Sequence, residues 1–254
     1  MKKLILAGLA AVLLSGCGPR NNIGCNSTTP CNMKTQKNMG EAKRMVSDIH
    51  WLGHDSFRIE WNGLNIYIDP YKLGDAPKAD IILITHEHKD HCSPEDVALI
   101  RNEDTVIVTV KSAAEKLSGS IRTVAPGDKL EVKNMGIEVV PAYNINKFRS
   151  PGVPFHPKEA GHAGYIINLD GIRIYHAGDT DMIPEMGSII TDIALLPVSG
   201  KYVMTVEEAL EAAKIIKTQI IIPMHLGRGI GSMDYAEDFK KNSTVYTVVL
   251  PIEE

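Results

Sequence analysis

From Ile49 onward, short apolar segments separated by turn residues recur along the chain. Phe57 to Trp61 alternates between apolar and polar positions, Asn62-Gly63 is a strong hairpin turn, and Leu64 to Asp69 returns as a second strand. Ile81 to Ile84 is apolar throughout, as expected of a strand buried on both faces. The same pattern predicts strands at Val106–Val110, Ile121–Val124, Ile137–Val140, Gly164–Asn168, Ile172–Tyr175, Ile193–Leu196, Ile220–Ile222 and Val245–Leu250.

Helix signals are fewer than strand signals. Ser93 followed by Pro94 is typical of a helix start, and Lys111 to Leu117 predicts a second helix. Thr205 to Glu208 forms a capping box that opens an amphipathic helix reaching to about Lys217. Many strands with a few helices between them predict an α+β domain in which two sheets pack together with helices outside. A symmetry of two halves is not visible in the residues.

The amino terminus has the features of an export signal. Lys2 and Lys3 precede the apolar run Leu4 to Leu14, which is much shorter than the roughly 20 residues of a membrane-spanning helix. The segment ending in Cys17 resembles the lipobox of bacterial lipoproteins, in which the cysteine is acylated and becomes the first residue. The resemblance implies lipidation at Cys17 and a protein exported and anchored to the membrane of the cell envelope. The alternative is a plain cleaved signal.

A polar stretch follows the signal and lacks any helical or strand period, so it predicts a flexible tether. We therefore expect a signal peptide over residues 1–16, a tether over 17–47 and a single domain over 48–254. Cys25 and Cys31 lie in the tether, and the sequence leaves open whether they pair.

Composition and charge narrow the function. The 254 residues are 44% hydrophobic and 23% charged, which excludes collagen-like and wholly disordered chains. A formal net charge of −4 argues against nucleic acid as a partner, because nonspecific binding needs a basic surface. Four cysteines are too few for a disulfide scaffold of this length.

The nine histidines are the informative residues, because three of them lie within six positions. The buried strand Ile81–Ile84 runs into His86-Glu87-His88-Lys89-Asp90-His91. In an extended segment His86 and His88 point to the same side and can hold one metal ion, while Asp90 and His91 can face a second ion. Imidazole and carboxylate without thiolate suit Zn²⁺, and also Mn or Fe.

This motif resembles the signature of the metallo-β-lactamase superfamily of metallo-hydrolases. Further segments match in order along the chain: Ile68-Asp69-Pro70, Tyr175 to Thr180, and Pro223-Met224-His225. Trp51 to His54 and Leu195 to Val198 also resemble the L-ascorbate-6-phosphate lactonase-like branch. The resemblance implies a four-layer αββα sandwich. It also implies two zinc ions, with His86 and His88 on the first, Asp90, His91 and His225 on the second, and Asp179 between them.

The chain departs from the family at one position. A third histidine for the first ion is expected just after strand Ile137–Val140, where the sequence has Asn144 instead. Asn144 is the nearest match, and His156 or His162 from the following loop are the alternatives. That loop, from Asn144 to Gly161, is long enough to be a lid or a binding loop.

The resemblance implies a hydrolase that uses a metal-bound hydroxide on an ester, lactone or phosphodiester of a small molecule. We expect Asp90 and His54 to act in catalysis, and Asn144, His156 and Arg228 to contact the substrate. The alternative is a lipid-anchored metal-binding or scaffolding protein of the same fold, favoured by the missing histidine. A nuclease is weakened by the acidic charge and the export signal. The oligomeric state is not predicted.

Overall fold

Two mixed β-sheets dominate the computed structural model, which describes residues 39–253. The first sheet has six strands in chain order: β1 (Ile49–Gly53), β2 (Ser56–Trp61), β3 (Leu64–Ile68), β4 (Ile81–Ile84), β5 (Val106–Val110) and β6 (Ser120–Val124). The second has seven: β7 (Lys129–Val132), β8 (Met135–Pro141), β11 (Ala163–Leu169), β12 (Ile172–His176), β13 (Ile193–Pro197), β14 (Ile220–Met224) and β15 (Tyr246–Thr247). A small hairpin of β9 (Phe148–Ser150) and β10 (Val153–Pro154) lies apart.

The helices are short and begin where the sequence provides caps. They are α1 (39–45), α2 (Pro94–Ile100), α3 (Lys111–Ala114), α4 (Val206–Ile215) and α5 (Asp234–Asn242). The Ser93 hydroxyl accepts the Asp96 backbone N–H at 3.2 Å, and Thr205 and Glu208 form the predicted capping box. Such caps satisfy N–H groups that have no partner inside the helix.

The two sheets repeat one pairing order. From β1 across to β6, two antiparallel pairings are followed by three parallel ones, and the same order runs from β8 through β11, β12, β13 and β14 to β15. Strands β1, β3 and β4 therefore share a direction, as do β8, β12, β13 and β14. Near the carboxyl end of β4 the sheets are joined, because Tyr165 Oη donates to Ile84 O at 2.7 Å and Ala163 N to Thr85 O at 3.1 Å.

Both predicted sheets are present, and the central parallel strands are buried on both faces. All residues of β4, β13 and β14 are buried, which matches their uninterrupted apolar sequence. The buried side chains form one apolar cluster that spans both sheets and reaches α4 and α5. The sandwich of two sheets predicted from the apolar pattern is confirmed.

The structure differs from the sequence prediction at both ends of the domain. Residues 39–45 are helical and Ala42 is fully buried, so the predicted tether over 17–47 extends too far. The strand predicted at Val245–Leu250 is reduced to Tyr246–Thr247 at the sheet edge. Helix α5 was not predicted because its sequence is mostly polar, with only Ala236 and Phe239 buried.

The predictions of export and lipidation concern residues 1–38, which lie outside the described residues and include Cys17, Cys25 and Cys31. Within residues 39–253, no helix combines the length and the apolar character needed to cross a membrane.

Candidate metal centre

The residues of the candidate centre follow the carboxyl ends of strands that share a direction. In the first sheet these are His54 and Asp55 after β1, Asp69 after β3, and His86 to His91 after β4. In the second sheet they are Asn144 after β8, Asp179 after β12, Ser199 after β13 and His225 after β14. The repeated strand order therefore brings residues far apart in sequence to one edge of the sandwich.

Three imidazoles form the first cluster. His86 Nε2 lies 3.0 Å from His88 Nδ1, and His88 Nδ1 lies 3.2 Å from His156 Nε2. Nitrogens bound to zinc at 2.0–2.1 Å in a tetrahedron are separated by about 3.3 Å. The three nitrogens therefore have the spacing of one metal-ion position.

The hydrogen bonds around this cluster place the ring protons on the outside. Thr85 Oγ1 donates to Asp69 Oδ2 at 2.6 Å, so its oxygen accepts from His86 Nδ1 at 2.9 Å. Asn144 Oδ1 accepts from His156 Nδ1 at 2.9 Å. Both Nε2 lone pairs then face the cluster. Burial lowers the pKa of His86 well below its ordinary value, which favours the neutral imidazole that binds metal.

Asp179 connects the first cluster to a second one. Its Oδ2 lies 3.1 Å from His156 Nε2, while its Oδ1 lies 3.4 Å from His91 Nε2 and 3.3 Å from His225 Nε2. One carboxylate thus presents one oxygen to each group of imidazoles. This is the geometry expected of a ligand shared by two metal ions.

In the second cluster, formed by His91 and His225, hydrogen bonds to the Nδ1 atoms hold the two rings in place. His91 Nδ1 is 2.8 Å from Asp69 Oδ2, and Asp69 Oδ1 accepts the Thr85 backbone N–H at 2.8 Å. His225 Nδ1 is 2.6 Å from Ser199 Oγ. Contacts of this kind fix the orientation of metal-binding imidazoles. They leave the Nε2 atoms of His91 and His225 directed at Asp179.

Two buried carboxyl groups meet in this region and behave in opposite ways. Burial, and then the charge of Asp179, raises the pKa of Asp55 well above its ordinary value. Burial opposes ionisation of Asp179 too, but the neighbouring His91, His225 and His156 hold its pKa well below the usual range. Neither oxygen of Asp55 has a hydrogen-bond partner among the described residues. Sequence reasoning missed Asp55, since a lone carboxylate beside a turn carries no signal.

The two predicted catalytic residues, His54 and Asp90, lie in different environments. His54 is fully buried within reach of His91 and His225, and burial together with these two rings lowers its pKa. The side chain of Asp90 is 37% exposed, and its Oδ2 lies 3.6 Å from His54 Nε2. Asp90 is in none of the clusters whose ligand atoms lie within 4.8 Å of one another. The structure therefore sets it at the edge of the second cluster.

The three residues expected to contact substrate lie in different places relative to the clusters. Arg228 does not reach the centre, since its guanidinium donates to Leu52 O at 3.0 Å and Glu253 O at 3.3 Å. Asn144 is buried, and its amide is used by His156, Asp181 and Tyr202. His156, from the long loop, lies at the position of the missing third histidine, with its ligand atom grouped with those of His86 and His88.

Two further histidines, His176 and His162, lie outside the first and second clusters. His176 Nε2 donates to Asp55 O at 2.9 Å and its Nδ1 accepts the Gly178 N–H at 3.2 Å, so both ring nitrogens are used within the fold. His162 Nε2 lies 3.0 Å from Glu87 Oε2, and burial lowers the pKa of His162 to about 4.

A cavity of about 170 Å³ opens onto the clusters. Sequence analysis did not assign Arg149, Phe155 and Tyr202 to it, although the first two lie on the loop predicted to cover the site. Its wall consists of His88, Asp90, Arg149, Phe155, His156, Asp179, Tyr202 and His225. Two larger clefts of about 430 Å³ are lined by residues such as Glu60 and Trp61, and none of the clustered histidines lines them.

Replacing Asn144 by alanine tests how the loop histidine is held. The change removes the acceptor for His156 Nδ1 and for the His156 backbone N–H, which is 2.8 Å from Asn144 Oδ1. We expect affinity at the first metal position to fall by about 10–100-fold, the effect of losing such a support. Zn²⁺ titration against a chromophoric chelator measures it. Asn146→Ala, whose side chain contacts Glu208, is the matched control and should bind normally. Equal affinities in the two variants would contradict this role.

Comparison with known proteins identifies a family and relatives that agree with one another. The family described as "Beta-lactamase superfamily domain" matches residues 48–225. A UPF0173 metal-dependent hydrolase of Methanopyrus kandleri is 30% identical over 212 residues, covering 76% of this chain and 90% of the relative. One of Pyrococcus furiosus is 33% identical over 214 residues, with the same coverage.

Solved structures agree in fold. A crystal structure of a protein from Parabacteroides distasonis, assigned to the metal-dependent hydrolases, has 36% identity and a TM-score of 0.71, covering 81% of this chain and 93% of that one. A metallo hydrolase of Ignicoccus hospitalis has 25% identity and a TM-score of 0.64, covering 81% and 95%. These likenesses confirm the predicted αββα architecture.

Proposed function

Because the chain belongs to the β-lactamase superfamily of metal-dependent hydrolases, we propose that it uses two zinc ions to hydrolyse an ester, lactone or phosphodiester bond of a small molecule. The observation that carries the proposal is the position of Asp179, whose two oxygens face two separate groups of imidazoles. A purely structural site needs one closed set of ligands, whereas a shared carboxylate between two sets suits hydrolytic pairs of ions.

The ligand atoms of the candidate centre fit a pair of zinc ions. Imidazole and carboxylate oxygen, without thiolate, suit zinc and also manganese or iron. Bound ions of this kind lower the pKa of water and polarise a carbonyl or phosphoryl oxygen. His86, His88 and His156 would hold the first ion, His91 and His225 the second, and Asp179 both.

The remaining side chains of the cavity suit substrate handling. Asp90 is exposed at the cavity wall, where its carboxylate can accept a proton from water and pass it to a leaving group. Arg149 offers a cation for an anionic part of the substrate, and Phe155 packs edge-on against Tyr202 at 4.9 Å between ring centres. The lactonase-like segments Trp51–His54 and Leu195–Val198 support a lactone or related carbonyl substrate.

Hydrolysis of reporter substrates tests the proposal. The chain from residue 18 onward is loaded with Zn²⁺ and assayed on a panel of ester, lactone and phosphodiester reporters, with metal-stripped protein as the control. We expect metal-dependent cleavage of at least one class. A protein that binds Zn²⁺ and cleaves nothing on the panel would favour the scaffolding alternative. Cleavage of RNA at moderate salt would favour a nuclease instead.

We also propose that Cys17 is lipidated and anchors the exported protein to the membrane, as its lipobox resemblance implies. Cys17→Ser should move the protein from the membrane fraction to the soluble fraction of a bacterial host expressing the full chain. Fractionation followed by immunoblotting measures the shift, and Cys25→Ser is the matched control. Membrane association that persists in Cys17→Ser would contradict the anchor.

A further inference from the structure

Asp181 is a buried carboxylate that contacts the start of the long loop. Its Oδ2 accepts the backbone N–H groups of Ile145 at 2.6 Å and Asn146 at 2.8 Å, and its Oδ1 accepts from Asn144 Nδ2 at 3.1 Å. A buried carboxylate is stable only when its oxygens are hydrogen-bonded, and these three donors serve both of them. Asp181 therefore fastens the start of the loop to the segment that carries Asp179, two residues earlier.

Asn144 lies between Asp181 and His156, and its hydrogen bonds fix the orientation of its amide. The Nδ2 group donates to Asp181 Oδ1 and, at 2.9 Å, to Tyr202 O. The Oδ1 atom accepts from His156 Nδ1 at 2.9 Å and from the His156 backbone N–H at 2.8 Å. The two ends of an amide have nearly the same shape, so hydrogen-bond partners decide which end faces which neighbour. Because a carboxylate can only accept, Asp181 directs the amide oxygen to His156.

The orientation of this amide determines which nitrogen of His156 is free to bind metal. A neutral imidazole carries one ring proton, and donation from Nδ1 to Asn144 leaves the lone pair on Nε2. That atom lies 3.2 Å from His88 Nδ1, in the first cluster. We propose that Asp181 is a positioning residue of the first metal position, where it acts through Asn144 to hold His156 with Nε2 towards the ion. The inference rests on the proposed function only in requiring a metal ion at this position.

Zn²⁺ titration against a chromophoric chelator tests the proposal on the full chain carrying His225→Ala, which leaves the ligands of the first position unchanged. In Asp181→Asn the amide oxygen can still accept from the backbone, but the new N–H₂ group then faces the Nδ2 donor of Asn144. We expect the affinity of the first position for Zn²⁺ to fall about tenfold. Asp192→Asn is the matched control, because Asp192 is also buried and accepts from Gln219 Nε2 at 2.7 Å. It should bind Zn²⁺ as the parent chain does.

A second readout follows the ring proton of His156, which a loss of fold stability alone would not change. In the zinc-loaded full chain with ¹⁵N-labelled histidine, the Nδ1–H group of His156 should give an NMR signal protected from exchange with water, because it is buried and donates to Asn144. Asn144→Ala identifies this signal by removing it. We expect the signal to be lost in Asp181→Asn and to persist in Asp192→Asn.

Either an unchanged affinity or an unchanged His156 signal in Asp181→Asn would overturn the proposal. An equal loss of affinity at the second position, measured in chains carrying His88→Ala, would also overturn it, because it would show a general disturbance of the fold. If Asp181→Asn unfolds on circular dichroism, Asp181→Ser, which keeps one oxygen for the backbone N–H groups, repeats both measurements. Neither readout involves a substrate, so a protein that cleaves nothing on the reporter panel would refute the hydrolase and leave this role of Asp181 in place.

Discussion

Asp179→Asn is expected to abolish hydrolysis and weaken binding of both metal ions. Asparagine keeps the size of the side chain but replaces one carboxylate oxygen with an amide nitrogen, which cannot bind a metal. Because one oxygen faces each cluster, the change removes a ligand from one position and the shared negative charge from both. We expect kcat/KM to fall by about 10³-fold, equivalent to ~4 kcal/mol of lost transition-state stabilisation.

Steady-state kinetics on the best reporter, together with metal content by plasma mass spectrometry, measure this effect. Asp104→Asn is the matched control, because Asp104 is exposed in the loop before β5. The control should keep full activity and two ions. An Asp179→Asn enzyme with activity within tenfold of the wild type would show that Asp179 does not bridge the ions.

Removal of metal should lower the melting temperature by about 10 °C. Nearly all of the clustered imidazoles and carboxylates are buried, and without metal they lose the ion to which their lone pairs would bind. A ligand present at about 1,000 times its Kd stabilises the folded state by ~4 kcal/mol, and each kcal/mol is worth about 2–4 °C in a domain of this size. Differential scanning calorimetry before and after treatment with a chelator measures the shift.

The variant His86→Ala combined with His88→Ala and Asp179→Asn provides the control, since it lacks ligands at both positions and should show almost no shift. Adding back Zn²⁺, Mn²⁺ or Fe²⁺ to the stripped wild type ranks the metals by the melting temperature that each restores. Unchanged melting after verified metal removal would mean that the ions do not stabilise the fold.

Sequence patterns predicted the sheets because the parallel strands are buried on both faces. Strand β4 and β13, which occupies the equivalent position in the second sheet, are apolar throughout. Their local sequence pattern therefore agrees with their buried environment. The pattern was least informative where burial is slight. The mostly polar helix α5 and the exposed hairpin strand β9 give almost no periodic signal.

The centre was predictable where its residues lie in a short segment that matches a family motif or follow a strand directly. His86 to His91 form a compact motif, and His225 directly follows β14. His156 lies twelve residues beyond Asn144, and only the folded loop shows that it fills the third position. Arg228 looked suitable because it follows His225 closely, but a left-handed backbone turns it towards Leu52 and Glu253.

Both metal positions need residues from both halves of the chain. At the first, His86 and His88 come from the half containing β1 to β6, and His156 and Asp179 from the half containing β7 to β15. At the second, His91 comes from the first of these halves, and His225 and Asp179 come from the other. A catalytic zinc takes three protein ligands, so neither half alone supplies a complete set at either position. The centre is therefore complete only when both halves are folded against each other.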